Sequence, residues 1–303
     1  MLKLEHLLAF VTAAEANSIT EAARRLQISK SVASERLAEL ERNIGATLMH
    51  RSTRRLALTE DGTAFLARAK RILREASDAT AEVAERRGEL TGPLRISAPV
   101  SFGILHLGPA LNSFLKKHPR IDLSVELDDR FVGAADGFDA VIRHGLLPDN
   151  RWIAKRFGTS RRMLVASPEY LKRNGTPRTV ADLEQHRGII YSIRGVSDWR
   201  FRQSSRWRIV RPRAVMRVNN GIIMREAARQ GLGITLLATF VFHDLVAARK
   251  LRIVDVDAEA ESATIIIAYP SDRRASAKVT ALIAHLRASF GSPPYWDGRL
   301  DGR

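Results

Sequence analysis

Three helix patterns follow one another at the start of the chain with very short breaks between them, and few folds accept that spacing. The first has apolar residues at helical spacing and ends near Asn17. The second begins with the capping-box sequence Ser18-Ile19-Thr20-Glu21, in which Ser18 and Glu21 each satisfy a free backbone N–H at the helix start. After a break at residues 27–29, the third runs from Lys30 to Glu41. Together they predict a helix-turn-helix.

A basic hairpin follows the third helix, for which Gly45 is a candidate C-terminal cap. Two short strand-like runs, residues 47–50 and 56–58, flank the sequence Arg51-Ser52-Thr53-Arg54-Arg55. Arginines at the tip of such a hairpin are typical of the wing of a winged helix-turn-helix. Residues 1–58 are therefore predicted to form an all-α winged helix-turn-helix domain that binds DNA.

A long linker helix is predicted next, over residues 59–87. Thr59 is a candidate cap, and Glu60 and Asp61 place two acids in the first turn. Apolar residues within the helix recur in alternating steps of four and three, which is the heptad spacing of a coiled coil. This seam consists of Phe65, Ala69, Ile72, Ala76, Ala79 and Val83. We expect the helix to pair with its twin in a second subunit, and residues 88–93 to form a hinge.

From residue 94 onward, strand-like and helix-like segments alternate, which predicts an α/β sheet with crossover helices. The strand candidates are residues 94–98, 121–127, 140–142, 163–166, 188–191, 233–237 and 264–269. The helix candidates are residues 105–117, 168–173, 221–230, 240–247 and 275–290. Residues 291–303 are interpreted as a loose tail.

Charge and cysteine content narrow the class of protein. The formal net charge of +16 indicates a polyanionic partner. Residues 1–90 contain 15 Lys and Arg against 13 Asp and Glu, so +14 of this charge lies in residues 91–303. The absence of cysteine excludes disulfides and fits a reducing cytosol. Because no stretch approaches the ~20 apolar residues of a membrane span, we expect a cytoplasmic protein with no membrane partner.

Residues 10–62 resemble the DNA-binding domain of LysR-type transcriptional regulators. The matching residues combine helix caps, core positions and the wing in one order: Phe10, Ser18, Ala22, Ala23, Leu26, Ser29, Val32, Ser34, Leu40, Glu41, Gly45, Leu48, Arg51 and residues 58–62. The remaining chain resembles the effector domain of the same family, through residues 94–99, 137–143, 164–168 and 231–234. Lys30-Ser31 stand where members usually have Gln-Pro, and Glu35 where they often have a basic residue, so a base preference cannot be carried over.

The resemblance implies that residues 94–303 form a two-lobed α/β effector-binding domain like the periplasmic binding proteins. Lobe I would take about residues 94–163 and 268–303, and lobe II about residues 164–267. It also implies control of promoter DNA by a small-molecule effector, a homodimer or homotetramer, and contact with RNA polymerase. No cofactor and no metal are expected.

The second helix of a helix-turn-helix enters the major groove by its N-terminal residues. The candidate DNA contacts are therefore Lys30, Ser31, Ser34 and Glu35, together with Thr20 on the preceding helix and Arg54 and Arg55 on the wing. The alternative is an ordinary solvated helix face.

A sensor of this type binds its ligand between the lobes, at strand carboxyl ends and helix N-termini. That rule selects Val100, Ser101, Phe102, Arg143, Asn220 and Thr235. An arginine such as Arg143 favours a carboxylate, so the effector is expected to be a small anionic organic molecule. Two alternatives stay open: Asn220 could simply cap its helix, and Arg143 could pair with Asp139.

Residues 187–217 contain nine Arg and a single acid, Asp198. Within them Arg206-Trp207-Arg208-Ile209 alternates charged and apolar side chains, as an exposed sheet edge does. A solvated strand pair is the favoured interpretation, and contact with bent DNA or an acidic partner is the alternative. No motif of a metal site, a phosphate loop or a nucleophile elbow occurs, which argues against an enzyme. A nucleoid-type architectural protein without an effector is a further alternative.

Overall fold

A computed structural model describes residues 2–51, 56–85, 89–130, 137–145, 150–192, 199–203, 206–271, 275–298 and 300. The chain divides into two compact units, with the boundary between Pro93 and Leu94. In the described part of the chain, no helix is both long and apolar enough to cross a membrane, and no group of three or more Asp, Glu or His is placed to bind a metal.

The first unit contains the helices and the hairpin that the sequence predicts. Its elements are α1 (Leu4–Ala16), α2 (Ile19–Arg25), α3 (Lys30–Ile44), β1 (Met49–Arg51), β2 (Leu56–Leu58) and α4 (Glu60–Glu85). Strands β1 and β2 pair antiparallel, with Met49 opposite Leu58. Asn17 and Gly45 end α1 and α3 in the left-handed conformation, which suits a helix C-terminus.

The core of this unit forms where α1 crosses α3 and α4. Its buried members include Leu7, Phe10, Leu37, Leu40, Leu48 and Ala69. Phe10 of α1 contacts Phe65 of α4, with ring centroids 5.6 Å apart. The first turns of the linker helix are therefore part of the DNA-binding unit's own core.

The capping box at the start of α2 is only half formed. Ser18 Oγ accepts a hydrogen bond from the Glu21 backbone N–H at 3.2 Å, as expected. The Glu21 carboxylate binds Arg24 and Arg25 instead, at 2.7 Å and 2.9 Å, while the Ser18 N–H donates to the Ala13 carbonyl. The predicted reciprocal bond from Ser18 to Glu21 was wrong, because two arginines one turn further along compete for the same carboxylate.

The second unit contains two five-stranded sheets and one small sheet. The first five-stranded sheet has the order β4-β3-β5-β15-β6, built from β3 (Gly92–Ala98), β4 (Ile121–Leu127), β5 (Ala140–His144), β6 (Trp152–Ser160) and β15 (Ala263–Pro270). The second has the order β11-β8-β12-β7-β13, built from β7 (Arg162–Ala166), β8 (Arg187–Tyr191), β11 (Arg213–Val218), β12 (Ile234–Ala238) and β13 (Arg252–Val254). The small sheet has the order β10-β9-β14, built from β9 (Trp199–Gln203), β10 (Arg206–Val210) and β14 (Glu259–Ala260).

Helices connect these strands. They are α5 (Val100–Phe102), α6 (Gly108–Lys117), α7 (Pro168–Asn174), α8 (Gly221–Arg229), α9 (Thr239–Ala247), α10 (Ala277–Phe290) and α11 (Tyr295–Gly298). A π-helical turn at Gly103–Leu107 joins α5 to α6, and a 3₁₀ turn occupies Asp182–Gln185. All seven strand candidates and all five helix candidates correspond to observed elements. Strand β6 and the short strands β9, β11, β13 and β14 were not among the strand candidates. The interpretation of Arg206-Trp207-Arg208-Ile209 as part of a solvated strand pair is confirmed, because these exposed residues form β10, which pairs antiparallel with β9.

The described part of the C-terminal segment is packed, which corrects the prediction of a loose tail. Trp296 is completely buried, and Asp297 and Leu300 are nearly so. The Trp296 ring lies 5.3 Å from that of Phe290 and 5.9 Å from that of Phe102. Its burial depends on rings far away in sequence, so no local periodicity indicated it.

Candidate DNA-binding and effector sites

The N-terminal turn of α3 presents polar side chains to solvent. Ser29 caps the helix, its Oγ accepting from the Val32 N–H at 3.2 Å. Lys30, Ser31 and Glu35 are exposed and Ser34 is half-buried. At 3.6 residues per turn these four positions lie within about 140° around the helix axis, so the structure brings them together on one face. Thr20 is exposed on α2, whereas Arg54 and Arg55 lie outside the described residues.

The opposite side of α3 is anchored by ion pairs. Arg36 Nη2 binds Glu5 at 2.7 Å, and Glu39 approaches the buried His6 ring at 3.1 Å. Lys30 and Glu35 take part in no ion pair among the described residues. The charges of Arg36 and Glu39 are therefore neutralised within the unit. Those of Lys30 and Glu35 can still pair with another molecule.

Glu41 fixes the start of the wing, a role that the sequence reasoning missed. Its Oε1 accepts from the backbone N–H groups of Leu48 and Met49, at 2.8 Å and 3.1 Å. These groups begin β1, so one carboxylate at the end of the recognition helix positions the hairpin. The Leu40-Glu41 pair in the family resemblance was the available signal.

The heptad seam on α4 divides into two parts. Phe65 and Ala69 pack into the core of the first unit, and Ala69 has no exposed surface. Further along, Ile72 is 40% exposed and Val83 is 55% exposed; Ala76 is half-buried and Ala79 exposed. Only the later positions offer apolar surface to another subunit, because the first two are already used within the protomer.

The segment after β3 lies close to the start of α8, which follows the predicted effector residue Asn220. Ser101 follows β3 and is nearly buried. A Cβ atom placed on Gly221, the first residue of α8, would lie 3.2 Å from Ser101 Oγ. Asn220 caps α8, its Oδ1 accepting from the N–H groups of Ile222 and Ile223 at 3.0 Å and 3.1 Å. The alternative that Asn220 is a cap is therefore confirmed.

Arg143 is buried with one donor unused. Its Nη1 donates to the Ile142 carbonyl at 2.7 Å and its Nη2 to Ser97 Oγ at 2.8 Å. The buried Nε has no hydrogen-bond partner among the described residues. Asp139 is not its partner, since the Asp139 carboxylate accepts from the Arg95 N–H at 2.8 Å. Burial lowers the pKa of Arg143, and the nearby carboxylates, Asp128 first, oppose that effect.

Asp129 and Tyr191 adjoin this region, and the sequence reasoning assigned neither to the effector site. Asp129 Oδ1 accepts from the Val100 N–H at 3.1 Å, and burial raises the pKa of its carboxyl group. Tyr191 ends β8; burial raises its pKa, and the charge of Asp129 raises it further. The charge of Asp129 therefore acts on a residue at the end of a strand of the other five-stranded sheet. Both residues follow the strand-end rule that selected the other candidates.

Phe102 and Thr235 have no exposed surface, and their assignment as ligand contacts stays a prediction. Phe102 packs edge-on against Phe240, with ring centroids 5.4 Å apart. The Thr235 hydroxyl donates to the Ile189 carbonyl at 3.0 Å and links β12 to β8. Two cavities of about 280 Å³ and 670 Å³ lie elsewhere on this unit, beside Arg162 and Arg156 respectively.

Family models match most of the chain. Residues 4–63 match the bacterial regulatory helix-turn-helix of the lysR family, and residues 87–291 match the LysR substrate binding domain. The HTH-type transcriptional regulator PtxR of Pseudomonas aeruginosa is 31% identical over 299 residues, which span 97% of this chain and 95% of that protein.

Solved structures with both domains are also similar. The full-length virulence activator AphB of Vibrio cholerae, a member of the LTTR protein family, has a TM-score of 0.62 at 25% identity, covering 95% of this chain and 99% of that one. CrgA of Neisseria meningitidis, a LysR-type transcriptional regulator, has a TM-score of 0.60 at 26% identity, covering 94% and 99%. The exposed recognition turn, the wing and the two-sheet second unit thus occur together in proteins that regulate transcription, and the chain belongs to the LysR family of transcriptional regulators.

Proposed function

We propose that this regulator reads specific promoter sequences through the N-terminal turn of α3, and that a small anionic effector bound between the lobes of the second unit modulates this contact. The observation that carries the DNA-binding proposal is the set of polar side chains on one face of that turn, among which Lys30 and Glu35 are exposed and form no ion pair among the described residues. Side chains at the start of a recognition helix reach base edges in the major groove, while a neighbouring helix and a wing position the protein on phosphates.

In this proposal Lys30, Ser31, Ser34 and Glu35 face the groove, and Thr20 contacts phosphate. Arg54 and Arg55 would add wing contacts. The exposed apolar part of α4, around Ile72 and Val83, pairs with its twin, because an apolar seam gains most of its stability by leaving water. Dimers or tetramers would place two recognition helices on one duplex, and RNA polymerase is the proposed downstream partner.

The effector proposal rests on the buried Nε of Arg143. An unpartnered guanidinium donor in a poorly hydrated place is stabilised by a carboxylate, and such charge-assisted bonds are strong. Ser101 and Asp129 lie near the same strand ends. Asp129 would repel a purely anionic ligand, so the effector should also present a hydroxyl or amine that donates to it. The ligand class is thus a small organic acid with a second, donor group.

Replacing Arg143 with Ala should weaken effector binding roughly ten- to hundred-fold, the effect of losing one charge-assisted contact of about 1.5–3 kcal/mol. Titration calorimetry against a panel of short hydroxy and amino carboxylic acids, with their uncharged amides, measures this directly. Arg143→Lys keeps the charge without the Nε donor and should lose affinity as well. Arg173→Ala, an exposed arginine paired with Glu169, is the matched control.

Full affinity for the acids in Arg143→Ala would move the site away from Arg143. Equal binding of acids and amides would contradict the anionic class. Binding of promoter DNA without ligand should be the same in all three variants, since the first unit has its own core.

A further inference from the structure

The second unit carries exposed arginines on two strands that follow one another in the chain and belong to different sheets. These residues, called the arginine strip below, are Arg206 and Arg208 on β10, Arg211 in the link, and Arg213 and Arg217 on β11. Between Asp198 and Glu226 the sequence contains eight arginines and no acidic residue. The strip therefore has no carboxylate of its own segment to neutralise it.

Two arginines on the neighbouring strand β9, by contrast, are neutralised by ion pairs. On β9, Arg200 binds Glu261 at 3.1 Å and Arg202 binds Glu259 at 3.2 Å. The five side chains of the arginine strip form no ion pair and no hydrogen bond among the described residues. The nearby carboxylates of Glu259 and Glu261 thus pair with arginines of β9. The positive charge of the arginine strip is not neutralised by them.

Both strands of the strip are sheet edges. β10 is the outer strand of the small sheet and β11 is the outer strand of a five-stranded sheet. Beside the arginines, Trp207 is 50% exposed and Ile209 is 46% exposed. The Arg200 guanidinium lies 5.3 Å from the centre of the Trp207 ring and holds it against β9. The β10 side chains from Arg206 to Ile209 are all exposed, whereas one part of β11 packs against α8 and leaves Arg213 and Arg217 exposed.

Clustered like charges repel one another and favour a polyanion that brings charge of the opposite sign. Duplex DNA fits better than an acidic protein, because arginine binds phosphate through two parallel hydrogen bonds and the exposed apolar surface here amounts to two side chains. The excess charge of +14 also lies in residues 91–303, not in the winged domain.

We propose that the arginine strip binds the phosphate backbone of duplex DNA that flanks the operator. The second unit then contributes affinity without base recognition, and it holds DNA that extends beyond the sites of the recognition helices. Such contacts release counterions, so they make binding more dependent on salt. They also stabilise a bent or wrapped path of the duplex over the protein.

The test uses the full chain with three strip residues changed, Arg206→Gln, Arg208→Gln and Arg213→Gln. Affinity is measured over a range of salt concentrations for a short duplex containing only the selected operator and for a duplex extended by flanking DNA on each side. On the long duplex the affinity should fall at least ten-fold, and the slope of log K against log salt should decrease by up to ~2.7, about 0.9 for each lost phosphate contact. On the short duplex both should be unchanged.

Two control variants accompany this experiment. The first combines Lys172→Gln, Arg249→Gln and Lys250→Gln, which remove three exposed charges elsewhere on the unit. It should leave the affinity for both duplexes unchanged. Arg→Lys at the three strip positions keeps the charge and should retain most of the affinity for the long duplex.

Equal losses on both duplexes, or no loss on the long one, would overturn the proposal. If long-duplex affinity were unchanged while transcription in a purified system fell, the strip would bind an acidic protein instead. Failure of the unmodified protein to bind the short operator would count against the proposed function. This outcome is distinct from the others, because it concerns the unmodified protein and not the strip variant.

Discussion

Gly62→Ala should abolish operator binding and destabilise the first unit by at least about 3 kcal/mol, the upper part of the range for an overpacked core. A Cβ atom at this position would lie 1.9 Å from the carbonyl oxygen of Leu48 and 2.9 Å from its carbonyl carbon. Both are backbone atoms, so no side-chain rotation relieves the overlap. The Leu48 carbonyl also accepts the Thr59 N–H, and the Gly62 N–H donates to Thr59 Oγ1. The substitution therefore separates the start of the wing from the first turn of α4.

Circular dichroism during chemical denaturation measures this loss, because the first unit is mostly helical. Gly45→Ala is the matched control: Gly45 has φ +76°, but a Cβ atom added there would meet no other atom within 4 Å, so strain of only about 1–2 kcal/mol is expected. The four tryptophans all lie beyond residue 94, and their fluorescence should report an unchanged second unit. A Gly62→Ala protein that binds and unfolds like the unmodified chain would refute the close packing of α4 on β1.

Lowering the pH from 7.5 to 5 should destabilise the second unit by at least about 4 kcal/mol, with about 2 kcal/mol from each of the buried histidines His106 and His144. Burial also lowers the pKa of His186, which adds to the loss. Burial lowers the pKa of His106 to about 4. It outweighs the hydrogen bond between His106 Nε2 and the Phe240 carbonyl at 2.8 Å, which raises the pKa. Burial likewise lowers the pKa of His144 to about 4. Both ring nitrogens of His144 are buried without a partner among the described residues, and the ring stacks on Phe240 with centroids 5.1 Å apart.

The direction of this pH effect follows because the folded unit favours the neutral form of both imidazoles. Above pH 6.5 both states carry neutral imidazoles and the full stability is present. As the pH falls from 6.5 towards 4 the unfolded chain takes up protons that the folded unit excludes, so stability is lost over that window.

Urea denaturation followed by tryptophan fluorescence at the two pH values tests this expectation. His144→Phe keeps an aromatic ring against Phe240 and should reduce the pH-dependent loss by about 2 kcal/mol. His50→Gln, an exposed histidine of the first unit, should leave the loss unchanged. Equal denaturation midpoints for the unmodified protein at pH 7.5 and pH 5 would show that these rings are not held neutral.

Local signals predicted the first unit well, because caps and helical periodicity depend on residues close in sequence. Gly45 ends α3, as the sequence indicated. The roles of Glu21, Glu41 and Trp296 were missed or misassigned because their partners come from packing. Arg24 competes for Glu21, the backbone of β1 is brought to Glu41, and the Phe102 ring covers Trp296.

The strand-end rule gave positions for a candidate effector site, and these stay predictions. Among these positions Ser101 lies beside the start of α8, a contact that the rule did not specify. The rule also selected Phe102 and Thr235, which are buried in the aromatic cluster and between strands. A strand end gives the position of a residue along the sheet, but the direction of its side chain depends on what packs against it.

Selection of bound duplexes from a randomised library, with the full chain as the binding protein, tests the central claim most directly. The account predicts enrichment of two inverted half-sites about one helical turn, or a multiple of it, apart, since a two-fold dimer presents two recognition helices. Lys30→Ala combined with Ser34→Ala should change the enriched bases, whereas Arg42→Ala, at the far end of the same helix, should not. Recovery of random sequences, or of the same bases by the Lys30 and Ser34 variant, would contradict sequence recognition by α3.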